Sequence, residues 1–204
     1  MIDETNGPTI IGEPSERTIT AAELASPFIY DQYNRIRTQG AEGRSVLVVG
    51  SGPNTDRWRT LGCETLDIDQ KANPDIVADA NKLDSVVGPE TQQIIIGECV
   101  ALDPSGKIGV DLKKFIPQAF AALTDGGQLF FVTAAQISEP PRPRQTLLDP
   151  IDFKRLLKDC GFKNVASWSG PIYLSQSPKI IGDKAVQDEF VVQSAVIYHG
   201  QKIK

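Results

Sequence analysis

Val46-Leu47-Val48-Val49-Gly50-Ser51-Gly52-Pro53-Asn54 decides the fold once it is set beside the two stretches that follow it, Thr65-Leu66-Asp67-Ile68-Asp69 and Ile76-Val77-Ala78-Asp79-Ala80. The first apolar run ends in closely spaced glycines, and the next two end on acids. Short hydrophobic runs with polar groups at their carboxyl ends are what a parallel sheet presents to a ligand at its open crevice. Glycines let the backbone approach that ligand closely, and a carboxylate about 20 residues further on can grip two ribose hydroxyls. The pattern therefore predicts a nucleoside-containing cofactor.

Working outward, the run from Ser45 to about Phe131 resembles the class I S-adenosylmethionine-dependent methyltransferases, particularly their small single-domain members. The stretch from Leu66-Asp67-Ile68-Asp69 through Pro74-Asp75-Ile76-Val77-Ala78-Asp79-Ala80 to Leu83 carries most of the likeness. The resemblance implies an α/β, three-layer, doubly wound fold of the Rossmann-like methyltransferase type. Its sheet would have seven mostly parallel strands, the last one antiparallel. It further implies S-adenosyl-L-methionine as cofactor, with Asp67 as ribose acceptor and Asp79 facing the exocyclic amine of adenine. The Ala80 backbone would lie beside the ring, and Ile68 would complete that set. Gly50, Ser51, Gly52 and Asn54 would pass the methionine part.

Two positions depart from the family's first motif. Val48 stands where an acid is usual, two residues before the first glycine, and Asn54 stands where a third glycine is common. The missing acid removes one anchor from the methionyl end. Asparagine tolerates a left-handed backbone better than other side chains, so Asn54 is expected to take a positive φ as the glycine's surrogate.

Composition bounds the remaining choices. At 204 residues and 40% hydrophobic, the chain suits one well-buried core and is short for two full domains. We expect residues 1–17, polar and rich in Gly and Pro, to form a tail or lid, and residues 18–204 to form one domain. The net charge of −5, without a run of Lys or Arg, argues against a nucleic-acid partner. No stretch approaches ~18 consecutive apolar residues, and the amino terminus has neither a basic region nor a hydrophobic core, so a cytoplasmic protein without a membrane partner is expected. Cys63, Cys99 and Cys160 are odd in number and widely spaced, as reduced thiols would be.

Along the chain, Thr20-Ala21-Ala22-Glu23 has capping-box spacing, and Ser26-Pro27 opens a helix that carries Ile29, Tyr33 and Ile36 on one face and stops near Gly40. A fourth strand fits Gln93 to Glu98. Leu112, Phe115, Ile116, Ala119, Phe120 and Leu123 form a helical stripe that Pro117 should kink or begin. Asp125-Gly126-Gly127 turns into a strand over Leu129 to Thr133. Asp149-Pro150 caps a helix with Phe153, Leu156, Leu157 and Cys160 inward, ended by Gly161. Val165 to Trp168 and Phe190 to Tyr198 supply the final strands, which by resemblance close the sheet as an antiparallel pair.

The chemistry-bearing residues each admit a plain reading as well. Asp67 and Asp69 lie two apart on a strand and could share a divalent ion, or Asp69 could simply cap the next turn. No metal site is expected. His199, the sole histidine, is either a base or, as strand ends usually are, a surface residue. Cys99 is a nucleophile only with a base beside it, and otherwise a small packed side chain. Glu98 is the better catalytic candidate, serving the cofactor's ammonium or a substrate proton. Tyr33 is a second candidate, closing over the cofactor with Tyr30, or else ordinary core. The segment Gln136 to Leu148, with Arg142 and Arg144 among Pro140, Pro141 and Pro143, is either a pocket wall for an anionic substrate or an exposed connector.

Three function classes follow. The leading one is methyl transfer to an O or N atom of a small molecule, by a monomer or homodimer, in a pocket bounded by Tyr30, Tyr33, Glu98, Ala134, Gln136 and the Pro140 to Arg144 loop. The second is a binding or scaffold module that keeps this fold without turnover. The third, a nicotinamide-dependent oxidoreductase, is disfavoured by the absent third glycine.

Overall fold

A parallel sheet buried on both faces needs strands that are apolar throughout, and Val46-Leu47-Val48-Val49 is such a strand, with no residue more than 2% exposed. The computed structural model of the protein describes residues 27–98, 109–134, 150–175, 179–181, 184–186 and 189–204. Its strands are β1 (Val46–Val49), β2 (Glu64–Asp67), β3 (Ile76–Val77), β4 (Gln92–Glu98), β5 (Leu123–Ala134), β6 (Lys163–Ser175), β7 (Lys179–Ile181), β8 (Lys184–Val186) and β9 (Glu189–Gln201). The α-helices are α1 (Pro27–Gln39), α2 (Thr55–Thr60), α3 (Leu112–Ala122) and α4 (Pro150–Asp159). Seven strands form one sheet in the order β3-β2-β1-β4-β5-β9-β6. All pairs are parallel except those of β9, which runs antiparallel to both β5 and β6. This is the expected doubly wound sheet with its last strand reversed.

Successive strand residues point to opposite faces, so the sheet has two cores. On one face Val46, Val48, Ile94, Ile96, Phe130 and Val132 pack with Ile29, Tyr33 and Ile36 of α1 and Trp58 of α2. On the other, Leu47, Val49, Ile95, Leu129 and Phe131 pack with Phe115, Ile116 and Ala119 of α3 and Phe153 and Leu157 of α4. α1 ends at Gly40, where φ is +83° and an added Cβ would stand 2.2 Å from the Leu61 carbonyl oxygen. Ala41 donates to that same oxygen at 2.8 Å. The carboxyl end of α1 is thereby tied beside the amino end of the central strands, and its first turns lie over their carboxyl ends.

Several boundaries differ from the sequence-based expectation. α3 runs from Leu112 through the exposed Pro117, because Asp111 caps it by accepting from Lys113 N at 3.0 Å and the proline costs one backbone bond on the solvent side. β5 begins at Leu123, and the Gly126-Gly127 turn lies within it. Gly126 donates to Lys202 O, and Lys202 donates back to Gly127 O, so the bend stays paired to the chain end. β6 and β9 are longer than their apolar cores because they pair with each other through two register shifts. The β7–β8 hairpin was not anticipated, since three-residue strands carry no readable alternation.

His199 departs most from its expected surface position. It is 8% exposed because β9 lies inside the sheet between β5 and β6 and not at an edge. Its Nδ1 lies 3.2 Å from Asn164 O and its Nε2 3.3 Å from Gln128 Oε1. Cys63 and Cys160 are free thiols. Burial pushes the Cys63 thiol up to about 11, Arg44 pulling it down and Glu98 raising it further, so it is inert at neutral pH. Residues 1–17, the Thr20–Glu23 box, Ser26, Cys99, the Gln136–Leu148 loop and Asp149 lie outside the described residues. Among the described residues no helix is long and apolar enough to cross a membrane.

Candidate functional site

The carboxyl ends of β1, β2, β3 and β4 converge on one edge of the sheet. β1 leaves it through Gly50 and Gly52, whose φ values are +77° and +48°, a backbone region that side chains with a Cβ enter at a cost. Gly50 N donates to Leu66 O at 2.8 Å, which folds the turn back over β2. Gly52 N then donates to Asp67 Oδ2 at 2.8 Å, and Asp69 N donates to Asp67 Oδ1 at 2.9 Å. Asp67 is thus held by one backbone donor on each oxygen. A carboxylate offers about four acceptor positions, so a further lone pair on each oxygen remains for a diol. Ile68, next in the chain after this carboxylate, is an apolar residue left 71% exposed.

Asp79 lies two residues beyond the end of β3 and caps the 3-10 turn Ala80–Ser85, accepting from Asn81 N at 2.9 Å. Asn81 is a residue that sequence reasoning missed. Its side chain donates to Gly109 O at 3.0 Å and accepts from Asp111 N at 2.7 Å, and its carbonyl accepts from Gln118 at 3.0 Å. It fastens the Asp79 turn to the start of α3. The signal was present in Asp79-Ala80-Asn81, a spacing that favours an Asx turn.

The metal alternative finds little support in the donor set. Asp69 caps its own 3-10 turn through Lys71 N, and Asp75 turns back to Arg59 and Thr65. Among the described residues no group of three or more His, Cys, Asp or Glu is placed to hold an ion.

Asn54 is not a glycine surrogate. Its φ is −91°, in a region open to any residue. The chain enters a 3-10 turn over Gly52–Asn54 and passes directly into α2, so the positive φ values end at Gly52. Gly52→Ala is accordingly expected to cost about 1 kcal/mol in urea unfolding, from backbone strain alone, since nothing lies within 4 Å of the added Cβ. Asn54→Ala should change stability by less than about half of that.

Glu98, at the end of β4, is 2% exposed and faces the α1 side. Its Oε1 accepts from Tyr33 Oη at 2.9 Å and lies 3.7 Å from Arg37 Nε, and its Oε2 accepts from Trp58 Nε1 at 2.6 Å. Tyr33 is 1% exposed, with its ring against Phe130. Tyr30 stacks on Trp168 at 4.6 Å between centroids. Trp58 and Arg37 were not singled out in sequence, and Trp168 entered only as the end of a strand.

No protein-family model matches this chain, and no curated protein matches it in sequence. In three dimensions it is similar to a SAM-dependent methyltransferase from Archaeoglobus fulgidus, with a TM-score of 0.57, 13% identity, and coverage of 86% of this chain and 93% of that one. A structure describing the conversion of a disulfide bond into a thioacetal group during echinomycin biosynthesis aligns with a TM-score of 0.52 at 14% identity, over 84% of this chain and 81% of that one. Phosphoethanolamine N-methyltransferase 2 of Haemonchus contortus, in complex with phosphomonomethylethanolamine and S-adenosylhomocysteine, aligns with a TM-score of 0.50 at 10% identity, over 91% of this chain and 58% of that one. The chain has the class I S-adenosylmethionine-dependent methyltransferase fold.

Proposed function

We propose that this protein is an S-adenosylmethionine-dependent methyltransferase acting on an O or N atom of a small molecule. The observation that carries the reading is the Asp67 carboxylate, oriented at the crevice by Gly52 N and Asp69 N with acceptor capacity to spare, beside the exposed Ile68. In this reading Asp67 takes the ribose diol, and Ile68 and the Ala80 backbone flank the adenine. Asp79 accepts from its amine, and Gly50 to Asn54 line the methionyl end. When bound, the cofactor supplies a methyl group already activated on a sulfonium. The protein's own task is therefore orientation and exclusion of water, and a short list of acid–base residues is no obstacle.

A specific observation favours the second reading, a binding module of the same fold. Both oxygens of Glu98 are engaged inside the protein, and Val48 supplies no acid on β1. Titration calorimetry with S-adenosylmethionine, S-adenosylhomocysteine and NAD separates the possibilities. Binding of both sulfur compounds but not NAD, followed by methyl transfer to members of a small-molecule panel, is the expected result. Binding without transfer would leave the module, and preference for NAD or no binding would overturn the proposal.

A further inference from the structure

A buried charge costs several kcal/mol unless donors compensate it, so a carboxylate kept at 2% exposure needs a task. The donors around Glu98 belong to different elements: Tyr33 and Arg37 to α1, Trp58 to α2. α2 is the helix into which the glycine turn runs. Its first residue, Thr55, donates to Gly52 O at 2.8 Å and lies 2.8 Å from Ser51 Oγ. One turn further along, Trp58 donates to Glu98. A continuous chain of contacts therefore joins Gly52, which holds Asp67, to Thr55, Trp58 and Glu98. α1 is drawn into the same chain twice, because Arg57 also donates to the Arg37 carbonyl at 3.1 Å.

Val48 lies on the same face of the sheet, opposite Ile96, and is fully buried among apolar side chains. β1 thus offers no polar group to this side of the turn, and the polar fastening comes from the end of β4.

We propose that Glu98 is a positioning residue that sets the glycine turn for the cofactor through Trp58, with Arg37 neutralising its charge and Tyr33 tying α1 to it. The inference rests on the cofactor reading above. It predicts that what matters at Glu98 is an oxygen that accepts from Trp58, and not a negative charge reaching the ligand.

The test is S-adenosylhomocysteine binding by calorimetry in Trp58→Phe, Glu98→Ala, Glu98→Gln and their combinations, each first checked for cooperative thermal unfolding. Trp58→Phe and Glu98→Ala should each weaken binding at least roughly tenfold, and the double variant should be no weaker than Glu98→Ala within about twofold. Glu98→Gln, whose amide carbonyl still accepts from Trp58, should stay within about threefold of the parent. A spectroscopic signature accompanies this. In a Trp168→Phe background Trp58 is the sole tryptophan, since the chain has two. Its emission should respond to S-adenosylhomocysteine in the parent and in Glu98→Gln, but not in Glu98→Ala.

Parent-like binding by Trp58→Phe, or binding by Glu98→Gln as weak as by Glu98→Ala, would overturn the inference while leaving the cofactor assignment standing. A parent that binds no S-adenosylhomocysteine would overturn both. Should Glu98→Ala fail to fold, Trp58→Phe and Glu98→Gln decide the matter by themselves.

Discussion

Asp67→Ala is expected to weaken S-adenosylhomocysteine binding by roughly 2–3 kcal/mol, about 30- to 150-fold in Kd. Two losses combine in that figure. The ribose diol would lose a charge-assisted bidentate acceptor. The glycine turn would also lose the contact by which Gly52 N is held at 2.8 Å from the carboxylate. Asp67→Asn separates the two. One oxygen of the amide still accepts from a backbone donor, while its NH2 group faces a second backbone N–H where an acceptor is needed. The asparagine variant should therefore bind with intermediate affinity and unfold at slightly lower urea than the parent. Calorimetry on the three proteins, with urea midpoints recorded alongside, provides the measurement. An alanine variant that binds as tightly as the parent removes Asp67 from the site.

The Asp67 half of the site was legible because its chemistry is local. Each strand is a short apolar run with its polar residues following at the carboxyl end, so order and spacing put Gly52, Asp67 and Asp79 at the same edge of the sheet. The Glu98 half was not. Trp58 donates to a carboxylate 40 positions away on a strand that pairs with β1, and nothing near Trp58 in sequence distinguishes it from an ordinary core residue. Arg37 was equally opaque, since an arginine on an amphipathic helix reads as solvated until the partner at the end of β4 is known. Asn54 failed for a different reason. Motif comparison places residues but not torsions, and here the turn completes its left-handed steps by Gly52.

His199 exposes a further gap between pattern and topology. A polar residue closing an apolar run looks like a strand end at the surface, and only the insertion of β9 between β5 and β6 buries it. That burial has a thermodynamic consequence. Desolvation lowers the His199 pKa from 6.5 to about 4, against a weaker opposing effect from its backbone contact to Asn164. The unfolded chain titrates near the ordinary value and so binds more protons than the folded one between those limits. Stability is therefore fully present above about pH 6.5 and falls as pH drops through the window towards 4. The loss is on the order of 3 kcal/mol by linkage. Its magnitude is a large share of a typical domain's stability. The direction follows from the ring's surroundings: it is buried against Phe130, 5.0 Å away between centroids, and no carboxylate is among its polar contacts, so the carbonyl oxygens of Asn164 and Gln128 only partly offset the loss of solvent. Urea unfolding of the parent and of His199→Gln at pH 7, 6, 5 and 4 isolates the contribution from that of the carboxylates, which both proteins share. The parent should lose about 3 kcal/mol more than the variant across the series. Parallel pH profiles for the two proteins would show that His199 titrates alike in the folded and unfolded chains.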